Sequence, residues 1–220
     1  MQKSKIFYTK TYKNLEEAIV DFLNKQTNYL TPRTINSPRA VGDAIENILV
    51  ENFETILGGL AKDYSSIFAR RAMADLAFTD KNDFYYIVDV KTHRLDTKFN
   101  MPNLTSVERL ARFYEDDKNY FIVLKVNYRV QNPNVFIEKV TFVPIEFLSW
   151  DCLTIGVLGW GQIQIANANT VNIIPHNKRK NWMIEMCDNL LEFYPREIGK
   201  INERIDYFKK IKKQWEKRKE

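Results

Sequence analysis

Apolar residues recur at helical spacing in two N-terminal segments. Residues 13–25 carry a short amphipathic stripe. Residues 40–57 carry a stronger one, with Val41, Ala44, Ile45, Ile48, Leu49, Phe53 and Ile56 on one face. Ser37-Pro38 reads as the start of this second helix and Gly58-Gly59 as its stop. The polar, proline-containing stretch between the two helices reads as a loop. The period then changes. Residues 73–79 and 84–90 are short, apolar and rich in aromatic or β-branched residues, with Asp80-Lys-Asn-Asp83 between them. That pattern predicts a β-hairpin. Residues 92–105 are polar and predict a loop. Residues 106–116 predict a helix with Ser106 as its N-cap. Further strands are expected at 120–130, 135–143 and 162–165, with a turn at Asn132-Pro133-Asn134. The continuous apolar run 120–124 suits a central strand. Helical patterns at 180–194 and 196–219 are expected to break at Pro195. In the second of these, Ile198, Ile201, Ile205, Phe208 and Trp215 approach a 3.5-residue repeat, with Lys212 in one expected apolar slot.

These elements predict an α/β (α+β) chain, a mixed sheet flanked by helices with a helical C-terminus. At 220 residues the chain is expected to be a single domain, 1–220, with residues 1–195 as the core and 196–220 as a basic C-terminal helix. The net charge is +5 and the isoelectric point about 9.0, a modest bias toward anionic partners. Cys152 and Cys187 form no Cx2C pair, and only His93 and His176 are present, so no zinc-finger pattern exists. The chain has neither GxxxxGK[ST] nor GxGxxG, hence the expectation of no nucleotide cofactor. No run approaches 18 apolar residues and the start does not read as a secretory leader, so no membrane association and a cytoplasmic location are expected.

The candidate chemistry lies on the hairpin. Asp75 is read as lying within the first strand, and Asp89 and Lys91 end the second. Alternate residues of a strand share a face, so Asp89 and Lys91 point the same way, and pairing brings Asp75 toward Asp89. Two carboxylates and an ammonium suit Mg²⁺-assisted phosphodiester hydrolysis: hard oxygens hold the ion, and the Val90 carbonyl could add a ligand. The lysine can orient a water and contact a phosphate oxygen. The [DE]-x-K tripeptide alone is weak, and Asp96-Thr97-Lys98 and Asp116-Asp117-Lys118 also carry it. Only Asp89-Val90-Lys91 ends an apolar strand-like run that follows another embedded acid. Glu46 is the acid nearest the core side of the 40–57 helix, with Gly42 on the same side permitting close backbone approach.

Ala74-Asp75-Leu76 with Val88-Asp-Val-Lys-Thr92 resembles the signature of the PD-(D/E)xK nuclease superfamily, with Ala74 in place of the proline. Within it the chain is most similar to type II restriction endonucleases of the HincII group. The likeness includes Gly42 to Glu46, Met101-Pro102-Asn103, Asp117-Lys-Asn-Tyr-Phe121, and Gln162-Ile-Gln-Ile165 followed by a basic loop and Trp182. It covers about residues 40–190 in order. The resemblance implies a restriction-endonuclease-like core with a helical extension. It also implies a homodimer that cuts both strands of duplex DNA at a short palindrome with Mg²⁺, leaving 5′-phosphate and 3′-hydroxyl ends. Asp75 and Asp89 would bind metal, Lys91 would support the attacking water, and Glu46 would be an accessory acid. Asn103 would read central bases, as an Asn side chain can read an adenine edge bidentately. Asn100 stands where a wedging Gln is expected. Arg94, Lys98, Gln164, Asn167, Lys178 and Arg179 are further candidates for contacting DNA. A structure-directed repair or resolvase-like nuclease of the same superfamily, or a non-catalytic DNA-binding module, is the alternative. His93 is expected to be structural, and Trp150, Trp160, Trp182 and Trp215 to be core or interface anchors.

Overall fold

A computed structural model describes residues 3–26, 34, 37–65, 74–131 and 134–218. The first residue of the expected 73–79 strand and most of the expected 132–134 turn lie outside the described residues. Among the described residues the protein is a mixed α/β fold with a mixed sheet and four α-helices. Helices α1 (Thr11–Lys25) and α2 (Pro38–Leu57) precede strands β1 (Ala61–Ser65), β2 (Leu76–Asp80), β3 (Tyr85–Arg94) and β4 (Asn103–Ser106). Helix α3 (Val107–Phe113), strands β5 (Asn119–Gln131), β6 (Asn134–Pro144), β7 (Leu153–Gly156) and β8 (Gln162–Ile165), and helix α4 (Arg179–Glu216) complete it.

Strands β1-β2-β3-β5-β6 form one sheet, with β3 and β5 parallel at its heart and the other pairs antiparallel. Phe78, Tyr86 and Tyr120 occupy neighbouring register positions on one face, and Phe142, opposite Leu124, lies on the same face. Phe53 of α2 packs between Phe78 and Phe142, with ring centroids at 6.3 and 5.9 Å. Helix α2 thus covers that face with Val41, Ile45, Leu49, Phe53 and Leu57, all buried. On the opposite face, Phe113 of α3 meets Tyr85. Asp89, Lys91 and His93 point to this second face.

Edge strand β6 is covered by α1. Glu16 accepts the Phe142 N–H at 2.8 Å, and Asn24 bonds both the N–H and the carbonyl of Ile137. These bonds occupy backbone groups that would otherwise template aggregation. Strands β4-β8-β7 make a second, antiparallel sheet.

The helices at 11–25 and 38–57 and the 76–80/85–94 hairpin match the sequence pattern, and Ser37 caps α2 by accepting the Ala40 N–H. Asp80 accepts the N–H groups of Asn82 and Phe84 and the Tyr86 hydroxyl, which fixes the hairpin turn. Three expectations are corrected. The 92–105 segment is not all loop: β3 runs on to Arg94 and β4 begins at Asn103. Ser106 precedes α3 without a side-chain cap. Pro195 does not break the C-terminus, because α4 is one helix of 38 residues. The bond Pro195 cannot donate would go to the Leu191 carbonyl, and Leu191 is solvent-exposed there, so water can satisfy it. Among the described residues no helix is long and apolar enough to cross a membrane.

Candidate active site

The site forms where β2 stops and β3 continues. The Asp75 N–H donates to the Val88 carbonyl at 3.0 Å. The Asp75 side chain then turns across β3, and its Oδ2 accepts the Val90 N–H at 2.7 Å. Asp75 therefore sits one residue before β2, in a bend, rather than within the strand. Val90 is tied to the site through its N–H.

Asp89 is 5% exposed, and its Oδ1 takes a 2.7 Å ion-pair hydrogen bond from Lys91 Nζ. Its Oδ2 is buried with no hydrogen-bond partner among the described residues. Burial pushes the Asp89 carboxyl up to about 7; Asp75 and Glu46 add to the rise and Lys91 opposes it. A buried carboxylate in this state is a high-energy acceptor, stabilised by any cation that reaches it.

Glu46 is half-buried on α2. Its placement depends on Gly42, one turn earlier. A Cβ on Gly42 would lie 2.7 Å from Thr92 Oγ1, so α2 reaches β3 this closely only with glycine there. Asp75, Asp89 and Lys91 thus come together from a bend and a strand, and Glu46 on α2 is near enough to raise the Asp89 carboxyl through its charge.

The expected DNA-reading residues separate into distinct groups. Asn103 on β4 and Gln164 on β8 are register partners, and Gln164 Nε2 donates to Asn103 Oδ1. Gly156 on β7 makes room for Gln164, since a Cβ there would come within 2.8 Å of its Oε1. Asn100 contributes its carbonyl to the Ala168 N–H, and the exposed Lys98 gives its carbonyl to Asn169 Nδ2. Asn167 Oδ1 accepts the Asn169 N–H, a local turn bond. Arg94 is occupied by an ion pair with Asp96. Lys178 is exposed just before α4. Arg179 turns inward instead. Its Nε bonds Glu146 at 3.0 Å and its guanidinium stacks over Tyr114 and Tyr120 at 4.1 and 4.3 Å. It is an anchor for α4, not a companion of Lys178 on the surface.

His93 is buried, with Nε2 at 2.8 Å from Asn169 Oδ1. Asn169 in turn donates to the Thr97 and Lys98 carbonyls. His93 and Asn169 therefore latch the loop after the lysine to the loop after β8. Trp182 is buried and Trp150 packs on it, whereas Trp160 and Trp215 are exposed. Lys125 carried no signal in the sequence beyond a cation inside an apolar run. It is the β5 register partner of Lys91, is buried, bonds Asn127 Oδ1 at 2.7 Å, and is pushed down to about 8 by burial.

Among the described residues no three His, Cys, Asp or Glu side chains are grouped to hold a metal by themselves. The donors present are two carboxylates, each held through one oxygen with its other oxygen left over. That set suits a hard ion that keeps waters and substrate oxygens in its shell, as Mg²⁺ does. No protein-family model matches this chain, and no curated protein matches it in sequence.

Proposed function

We propose that the protein is a Mg²⁺-dependent, sequence-specific endodeoxyribonuclease of the type II restriction kind, built on a PD-(D/E)xK core. The observation that carries this reading is the buried, unpartnered Asp89 Oδ2 beside the Lys91 ammonium, with Asp75 held against the same strand. A bound divalent ion would be held by Asp75 and Asp89. It would neutralise charge on the scissile phosphate and acidify a water. Lys91 would orient that water and meet a phosphate oxygen. The water oxygen bonds to phosphorus as the bond to the 3′ oxygen breaks, which leaves a 5′-phosphate and a 3′-hydroxyl. Glu46 raises the local negative charge and strengthens the demand for a cation.

In this reading Asn103 and Gln164 form one polar unit for base edges, and the exposed Lys98 and Lys178 contact phosphates. A palindromic target implies a twofold homodimer.

The test is incubation with phage-sized duplex DNA and Mg²⁺, beside EDTA and Asp89→Ala controls. Discrete fragments that vanish in both controls are the expected result, and sequencing the ends gives the target and cut. A uniform smear would replace this reading with a structure-directed or non-specific nuclease. Binding without any cleavage would replace it with a non-catalytic DNA-binding module.

A further inference from the structure

Helix α4 leaves the body and carries an apolar stripe that stays exposed among the described residues. Its base is anchored: Trp182 and Met186 are buried, and Trp182 Nε1 bonds the Leu148 carbonyl. Tyr194 still touches the body through a hydroxyl bond to the Trp160 carbonyl. Beyond it, from 195 to 216, almost every residue is exposed.

The stripe has the spacing of a coiled-coil seam. From residue 184 to residue 215, apolar positions recur in strictly alternating steps of three and four, with Lys212 the single charged exception. In heptad terms Ile184, Leu191, Ile198, Ile205 and Lys212 take the a positions. The d positions run from Cys187 through Ile201 to Trp215. The large apolar residues of the seam are between 37% and 72% exposed. Trp182 and Met186 lie on the other side of the helix; the d-position Tyr194 is tied to the body through the Trp160 carbonyl, and from Ile198 onward the seam is clear of the described body.

We infer that the α4 seam pairs with the same seam of a second copy of this chain, as a parallel two-stranded coiled coil. Three observations select that occupant. A three-four repeat is self-complementary, because each a or d side chain needs a hole that only another helix of the same period provides. The apolar area exposed along the seam is on the order of 800 Å² per chain, the share each partner contributes to a standard interface. The a-position isoleucines do not set the strand number, since no d position holds leucine; Lys212 does, because one lysine at an a position selects the in-register two-stranded pair, where both ammonium groups reach solvent at the edge. The flanking charges oppose the pairing slightly: Glu197 would face the neutral Asn202, and Arg204 would face Lys209 across the seam at an exposed, screened edge, so the apolar seam itself must supply the affinity. Parallel pairing places the two bodies side by side at the same end of the coil. The inference stands on the helix alone and holds whatever reaction the body performs.

Sedimentation equilibrium of the full chain at micromolar concentration should give twice 26.1 kDa. The double variant Ile198→Glu/Ile205→Glu should self-associate at least about a hundredfold more weakly, with the thermal midpoint of the body unchanged because both residues are already exposed. Mild oxidation should join the two chains through Cys187, which is exposed at a d position, and Cys187→Ser should abolish the cross-link. A wild-type monomer at that concentration would overturn the inference, as would a double variant that dimerises normally. A dimer with no Cys187 cross-link would overturn the parallel register. DNA cleavage is scored separately by fragment pattern, so loss of the dimer and loss of the nuclease reading are distinguishable.

Discussion

Asp75 Oδ2 accepts the backbone N–H of Val90 at 2.7 Å, so a carboxylate from the chain entering β2 is held by the residue that follows Asp89. The bond spans 15 residues and fixes the two acids relative to each other before any substrate arrives. Catalytic groups work only when held close to productive geometry, and a backbone donor is a rigid holder.

Lys91→Ala should lower cleavage by roughly 10²-fold or more while DNA binding changes little, because in the proposed reaction the lysine acts on the reacting phosphate. Single-turnover rates beside filter binding separate the two effects. Parallel loss of binding and cleavage would instead assign Lys91 to affinity.

Asp89→Asn should abolish cleavage and yet stabilise the metal-free protein at pH 8. The folded-state carboxyl is raised, to about 7 from 3.8, chiefly by burial. Between those values the folded state holds a proton that the unfolded chain has released. Stability from this group is therefore greatest at low pH and falls as pH rises through that window. Above pH 7 the full penalty of a buried carboxylate remains. The melting temperature of metal-free wild type should fall from pH 5 to pH 8 more steeply than that of Asp89→Asn, and Mg²⁺ should narrow the gap. Identical pH slopes would show that Asp89 is not buried in its charged form.

Gly42→Ala should cost about 1–3 kcal/mol, because its Cβ would fall 2.7 Å from Thr92 Oγ1. Helix α2 would be pushed from β3 and would carry Glu46 with it. Thr92→Ala removes the obstructing oxygen, so the double variant should regain most of the loss. Denaturant titrations of the four-member cycle measure that coupling, and additive effects would place the strain elsewhere.

Asn103→Ala should relax the choice of DNA sequence more than it lowers the cleavage rate, since Asn103 is paired to Gln164 across β4 and β8 and is remote in sequence from the carboxylates. Gln164→Ala should produce the same change. Cleavage profiles on a randomised duplex library provide the comparison, and unequal profiles would separate the pair.

Much of the sheet was legible in the chain because its strands are apolar and end at turn residues. The hairpin from Leu76 to Arg94 is the clearest case, and its period of two put Asp89 and Lys91 on one face before any coordinates. Gly42 and Glu46 were legible from helical angle alone. The strands β1, β4 and β7 were not, because each has only four or five residues and is mostly polar or half-exposed, so no period forms.

Local periodicity thus determined which residues share a face, since that depends only on residues a few positions apart. Tertiary structure alone decided what those faces meet. Arg179 reads as one more cation in a basic loop, yet Glu146, Tyr114 and Tyr120 arrive from distant segments to draw it inward. His93 reads as a neighbour of the lysine, yet Asn169 commits it to holding two loops together. The heptad spacing of α4 is written in the chain, but only the folded body shows that the seam is left facing solvent. Contacts across large sequence separations depend on packing of the whole chain, and no local pattern encodes them.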